Sequence, residues 1–190
     1  MSSNLNELIK KYTASEPIDF PSYLKQKKRE LADYPMPVKE DVKKGYVVAA
    51  NAEMMERMLY AKSFRQLGYE TFIVEKPRGE ADLGFIAIAP LNNDLEAILW
   101  LQTGLDFDPA WPIEIVKALA LWRDYCNLHI IGAGLSWVEI DFETLPNNVE
   151  SFANIIINFC EGVLSGPIRN AHDLAEHLQN ERTITLRFKG

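Results

Sequence analysis

The run Leu128-His129-Ile130-Ile131-Gly132-Ala133-Gly134-Leu135-Ser136-Trp137-Val138-Glu139-Ile140-Asp141-Phe142-Glu143 reads as two β segments folded back on a glycine turn. The second segment is the more informative. Successive strand residues point to opposite faces. Val138, Ile140 and Phe142 therefore share one side, which must be the core side. Trp137, Glu139, Asp141 and Glu143 share the other, so one indole and three carboxylates stand on a single strand face. Two readings compete for that face. One is the solvated side of an antiparallel sheet. The other is an acidic binding surface anchored by the tryptophan, since interfaces favour aromatic anchors.

Before this hairpin, residues 112–126 predict a helix. Ile115, Leu119, Trp122 and Cys126 recur at helical spacing. Val116 and Ala120 widen the stripe, which predicts a well-buried helix, and Glu114, Lys117 and Asp124 fall on its wetter side. After the hairpin, Asn147 with Glu150 resembles a capping box. Val149, Phe152, Ala153, Ile156, Phe159, Cys160 and Val163 follow as four turns of apolar stripe. Asn170 caps a last helix with Ala171, Leu174, Ala175 and Leu178 on its inner side. Residues 183–188 close as a strand with Ile184, Leu186 and Phe188 inward and Thr183, Thr185 and Arg187 outward.

The earlier half opens with two short helices, at 3–12 and 20–33. The second carries the basic run Lys25, Lys27, Lys28 and Arg29, and Pro35-Met36-Pro37 ends this arm. Strands are predicted at 46–50, 71–74 and 83–89, the last mostly apolar and hence central. Asn51 caps a helix running to about residue 66, with Met54, Met58, Ala61 and Phe64 on one side and Gly68 closing it. Residues 77–80 form a turn, and 92–99 a short helix leading into Trp100. These elements give an α+β fold: a mixed, largely antiparallel sheet with helices packed on one face, an N-terminal helical arm over 1–44, and a single domain over 45–190.

The chain has 190 residues, 47% of them apolar and 25% charged, with a net charge of −7. Residues 1–44 hold 9 Lys/Arg against 7 Asp/Glu and residues 45–190 hold 11 against 20, so the acidity lies in the body. Sequence-independent nucleic-acid binding needs clustered positive charge, and the net charge of −7 argues against it. No leader pattern and no membrane-length apolar run occurs, so a soluble cytoplasmic protein is expected. Cys126 and Cys160 each lie on an apolar stripe and read as buried free thiols.

Catalytic signatures are missing. Neither Gly-x-Ser-x-Gly nor Gly-x-x-x-x-Gly-Lys occurs, and Gly132-Ala133-Gly134 precedes a strand rather than a helix. His172 and His177 lie about 140° apart around a helix and cannot share an ion; His177 reads instead as a partner of Asp173. His129 can join Glu139 and Asp141 in a carboxylate–imidazole cluster only if the hairpin register turns it to their side. No cofactor and no metal is implied.

Trp122-x-x-Tyr125, Ile131-Gly132-Ala133-Gly134-x-x-Trp137-Val138-Glu139, Leu145-Pro146, Phe159-Cys160 and Leu174-Ala175-Glu176 resemble the bacterial family called domain of unknown function 4253, as does the segment Ala97-Ile98-Leu99-Trp100-Leu101-Gln102-Thr103-Gly104. The resemblance implies an α+β domain without an established activity and a character closer to accessory or immunity proteins than to enzymes. Two departures stand out. The family pattern follows Phe-Cys with Pro-Asp where this chain has Glu161-Gly162, and ends in Trp-Trp-Asp where this chain has Arg187-Phe188-Lys189. The leading expectation is a non-catalytic interaction domain that binds a protein partner with a basic surface through Trp137, Glu139, Asp141 and Glu143. The alternatives are a hydrolase or metal-dependent enzyme using Glu139, Asp141 and His129, and a small-ligand domain with an aromatic pocket around Trp100, Trp111 and Trp122.

Overall fold

The computed structural model describes residues 1–30, 45–79, 82–101, 103 and 111–188. Pro35-Met36-Pro37, Glu80, Gln102 and Gly104, and Lys189 lie outside the described residues, as do the side chains of Lys27, Lys28 and Arg29. By contacts the chain forms two compact units, Met1–Asp94 and Leu95–Gly190.

The first unit runs α1 (Ser3–Lys10), β1 (Ile18–Asp19), α2 (Phe20–Glu30), β2 (Tyr46–Ala50), α3 (Ala52–Leu59), α4 (Lys62–Gln66), β3 (Glu70–Glu75) and β4 (Gly84–Ala89). Its strands lie in the order β1-β2-β4-β3 and pair antiparallel. Ser2 caps α1 by accepting from the Leu5 N–H at 3.3 Å. Leu5, Leu8 and Ile9 of this helix pack with Val48, Ala50, Ile86 and Ile88 of the strands and with Met55, Met58 and Phe64. The predicted arm thus contributes its first helix to a core. Tyr23 of α2 sets its ring 5.5 Å from that of Phe85, which alternates with the Ile86 side of β4.

Asn51 caps α3 as predicted, accepting from the Met54 N–H at 2.9 Å. The single helix expected to residue 66 is in fact two. The chain breaks at Tyr60 and at Ala61, which is extended (φ −75°, ψ 101°). The break turns Phe64 inward, and Met55 rather than Met54 is the buried partner of Met58. Gly68, at φ +79°, follows the end of α4 in the left-handed conformation that glycine adopts without strain. β1 escaped the sequence reading because two residues show no alternation.

The second unit runs α5 (Glu96–Leu101), α6 (Trp111–Trp122), β5 (Leu128–Ala133), β6 (Trp137–Phe142), α7 (Val149–Phe159), a 3-10 turn (Glu161–Val163), α8 (Ala171–Glu181) and β7 (Thr183–Arg187). Its strands lie in the order β5-β6-β7, each pair antiparallel. The core side of β6 is the predicted one, with Val138, Ile140 and Phe142 at 1% exposure or less. Phe142 stands edge-on to Phe152 of α7 at 5.9 Å, and Trp122 of α6 stands edge-on to Phe152 and Phe159 at 5.7 and 5.6 Å. Ile115, Leu119 and Trp122 are buried as predicted, but α6 is not buried all round. Ala120 is exposed, and Leu121 and Tyr125 are 63% and 60% exposed. α7 is capped by Asn148, not Asn147, through a 2.9 Å bond from the Ser151 N–H. The stripe expected to continue to Val163 leaves α-helical geometry after Phe159. Asn170 caps α8, accepting from the Asp173 N–H at 3.0 Å.

Candidate functional site

Strand register decides which side chains share the outer face of β5-β6-β7. Directly opposed residues of paired strands point the same way. Across β5, β6 and β7 the outer rows are His129–Asp141–Thr183 and Gly132–Glu139–Thr185, with Trp137–Arg187 across β6 and β7. The inner rows are Ile130–Ile140–Ile184 and Ala133–Val138–Leu186. The pairing shifts between Ile130 and Gly132, a β-bulge at Ile131. Simple alternation from Leu128 would turn Gly132 inward. The extra residue turns it outward instead, and bulges characteristically re-aim side chains in this way.

The bulge creates the seat of Trp137. A Cβ placed on Gly132 would lie 2.8 Å from Cζ3 of the indole, and one on Gly134 would collide with its Nε1. The ring therefore lies against two positions that must lack a side chain. The Gly134 N–H donates to the Trp137 carbonyl at 2.9 Å, closing the turn beneath it. Trp137, Glu139 and Asp141 are half-buried and Glu143 is exposed. Glu139 reaches the same seat: its Oε2 is out of solvent contact and would stand 3.3 Å from a Cβ on Gly132. The outer face is thus a fixed indole with carboxylates around it, and Arg187 is exposed at one end.

The register does turn His129 to the carboxylate side, opposite Asp141, and its Nε2 lies 3.8 Å from Oε2 of Glu143. The two side chains are 43% and 66% exposed, so the pair is a surface pair. Among the described residues no three His, Cys, Asp or Glu side chains gather as metal ligands. His177 does not pair with Asp173. Its Nε2 lies 2.9 Å from the Thr183 carbonyl, while Asp173 Oδ2 accepts from the Arg169 N–H at 3.0 Å. His172 takes the exposed i,i+4 partner, Glu176, at 3.8 Å.

Both cysteines are buried free thiols. Burial pushes the Cys126 thiol up to about 11, and its Sγ donates to the Trp122 carbonyl at 3.3 Å. Burial also raises Cys160, partly offset by backbone hydrogen bonds. Nucleophilic catalysis needs the opposite shift.

A cavity of about 440 Å³ is lined by Trp111, Phe159, Cys160, Glu161, Gly162, Leu164, Arg187 and Phe188. Of the three tryptophans named for an aromatic pocket, only Trp111 lines it. Trp100 and Trp122 are 7% and 3% exposed. Sequence reading missed this grouping because it depends on the end of α7 meeting the end of β7. The available signal was the departure from the family pattern at Glu161-Gly162 and at Arg187-Phe188, both of which line the cavity.

The family described as "Domain of unknown function (DUF4253)" matches residues 85–188, from β4 through the whole second unit to Phe188. No curated protein matches the chain, and no solved structure does.

Proposed function

Because the chain belongs to the family described as a domain of unknown function, DUF4253, its activity has to be read from its own surface, and we propose that it is a non-catalytic interaction domain of accessory or immunity type. Its partner is a protein with a basic surface, engaged by Trp137, Glu139, Asp141 and Glu143. The supporting observation is the seating of Trp137 on Gly132 and Gly134 with the carboxylates on the same face. An aromatic held rigid before binding loses little conformational entropy on association, and surrounding charge steers a cationic partner toward it. The net charge of −7 disfavours nucleic acid as the partner. Among the described residues no helix is long and apolar enough to cross a membrane. Two unpaired cysteines suit a reducing, cytoplasmic setting.

The test is capture of partners from source-cell extract by the intact chain and by the triple variant Glu139→Gln, Asp141→Asn, Glu143→Gln, followed by binding kinetics with the recovered protein. The expected result is a basic partner whose association slows in the variant and loses part of its salt dependence. An unchanged association rate and salt dependence would overturn the reading. A second reading, acid–base chemistry, is favoured by the 3.8 Å approach of His129 to Glu143. It requires a cleft around that pair, and it predicts a hydrolytic activity abolished in His129→Asn.

A further inference from the structure

The cavity in the second unit sits where the first residue of α6, the end of α7 with the following 3-10 turn, and the end of β7 meet. Its volume of about 440 Å³ falls within the range of small-molecule sites. Trp111, Phe159 and Phe188 form the aromatic walls. The Phe188 ring stands 6.2 Å from Trp111 at 43° and 6.4 Å from Phe159 at 82°. Phe188 is buried, whereas Trp111 and Phe159 are half-buried and keep part of their surface open.

The polar lining is one-sided. Cys160 is a buried neutral thiol whose Sγ donates to the Arg187 carbonyl at 3.4 Å. Arg187 also meets Gly162 through that carbonyl, so closely that a Cβ at Gly162 would collide with it. The Arg187 side chain belongs to the opposite face of the strand, paired with Trp137. Glu161 is exposed and forms no ion pair among the described residues. Among the described residues the cavity therefore presents three aromatic rings, the Arg187 carbonyl and Glu161.

Aromatic faces carry negative charge density and attract cations, most of all weakly hydrated ones. We propose that this cavity binds a small organic cation of the substituted or quaternary ammonium class, with its alkylated head against Trp111 and Phe159 and the Glu161 carboxylate supplying the counter-charge. The site is separate from the acidic strand face.

The test uses the full chain with choline as the probe and 3,3-dimethylbutan-1-ol, its neutral isostere, as the control. Binding is followed by calorimetry and by the N-methyl proton resonance. Choline should saturate, with its N-methyl signal moving upfield under the ring currents, and the isostere should bind about tenfold more weakly. Trp111→Leu should weaken choline by a similar factor. Glu161→Lys, a change at an exposed position, should abolish binding while leaving the thermal midpoint in place. The last variant keeps the test decisive if Trp111→Leu fails to fold. Equal binding of choline and isostere, choline binding unaffected by Glu161→Lys, or no saturable binding of choline or the bulkier benzyltrimethylammonium would each overturn the proposal.

Discussion

Trp122 shows how far a single residue can be read from spacing alone. It lies on the stripe with Leu119 and Cys126, is 3% exposed, and meets two phenylalanines edge-on. Trp122→Ala should cost about 3–5 kcal/mol, because transfer energy and a cavity in the aromatic cluster add. Urea denaturation checks it, and an unchanged midpoint would contradict it. Gly134 shows the reverse case. As a residue type it signals only a turn, yet the steric demand on it comes from an indole three positions later. Gly134→Ala should displace the ring and destabilise the hairpin by about 1–3 kcal/mol, read as a lower urea midpoint. Cys126 makes a prediction with a definite sign. Its folded pKa, about 11, is above the ordinary thiol value of 9.0. Above pH 9 the unfolded thiol ionises while the folded one holds its proton, so the unfolded state binds fewer protons and stability falls between pH 9 and 11. Below pH 9 the thiol adds no pH dependence. Comparing the slope of stability against pH in the native protein and in Cys126→Ala isolates this effect, and equal slopes would refute it.

At the scale of elements, alternation in β6 was legible because a half-buried strand writes its two faces directly into the sequence. The bulge at Ile131 was not, because nothing in Ile-Ile-Gly says that one residue goes unpaired; only the register with β6 does. His129 could be assigned a face only with that register in hand. The break at Tyr60 and Ala61 was hidden for a related reason. Neither residue breaks a helix by propensity, and the need to bury Phe64 overrides the continuous periodic pattern. His177 was assigned to the wrong partner because helical spacing sees Asp173 and cannot see the Thr183 carbonyl brought in by the turn at Arg182. The same limits bear on the outer face of β6. Its carboxylates stand two residues apart on one side, and repulsion between like charges at neighbouring strand positions is worth a few tenths of a kcal/mol per pair. The triple variant Glu139→Gln, Asp141→Asn, Glu143→Gln should therefore keep or slightly raise the thermal midpoint. A marked fall would mean that these groups hold the sheet together, and the interaction reading would lose its support.

For the whole molecule the dominant long-range feature is charge. The net charge is −7, and residues 45–190 carry 20 acidic side chains against 11 basic ones. The Lys117–Glu114 ion pair has side chains 63% and 56% exposed. Pairs so exposed contribute little to stability. Repulsion among the carboxylates in excess over basic groups is then the larger electrostatic effect, and it opposes the compact state. Salt shortens its range, from a screening length of about 30 Å at 0.01 M to about 8 Å at 0.15 M. The thermal midpoint should rise by a few degrees as sodium chloride increases from about 0.01 to 0.15 M, most of that gain coming at the low end. The triple variant removes three of the negative charges, so its midpoint should rise less over the same interval. A midpoint that falls with added salt would show that attractive pairs outweigh repulsion. A variant as salt-sensitive as the native protein would show that the repulsion arises elsewhere on the acidic body and that the β6 face is a minor part of its field.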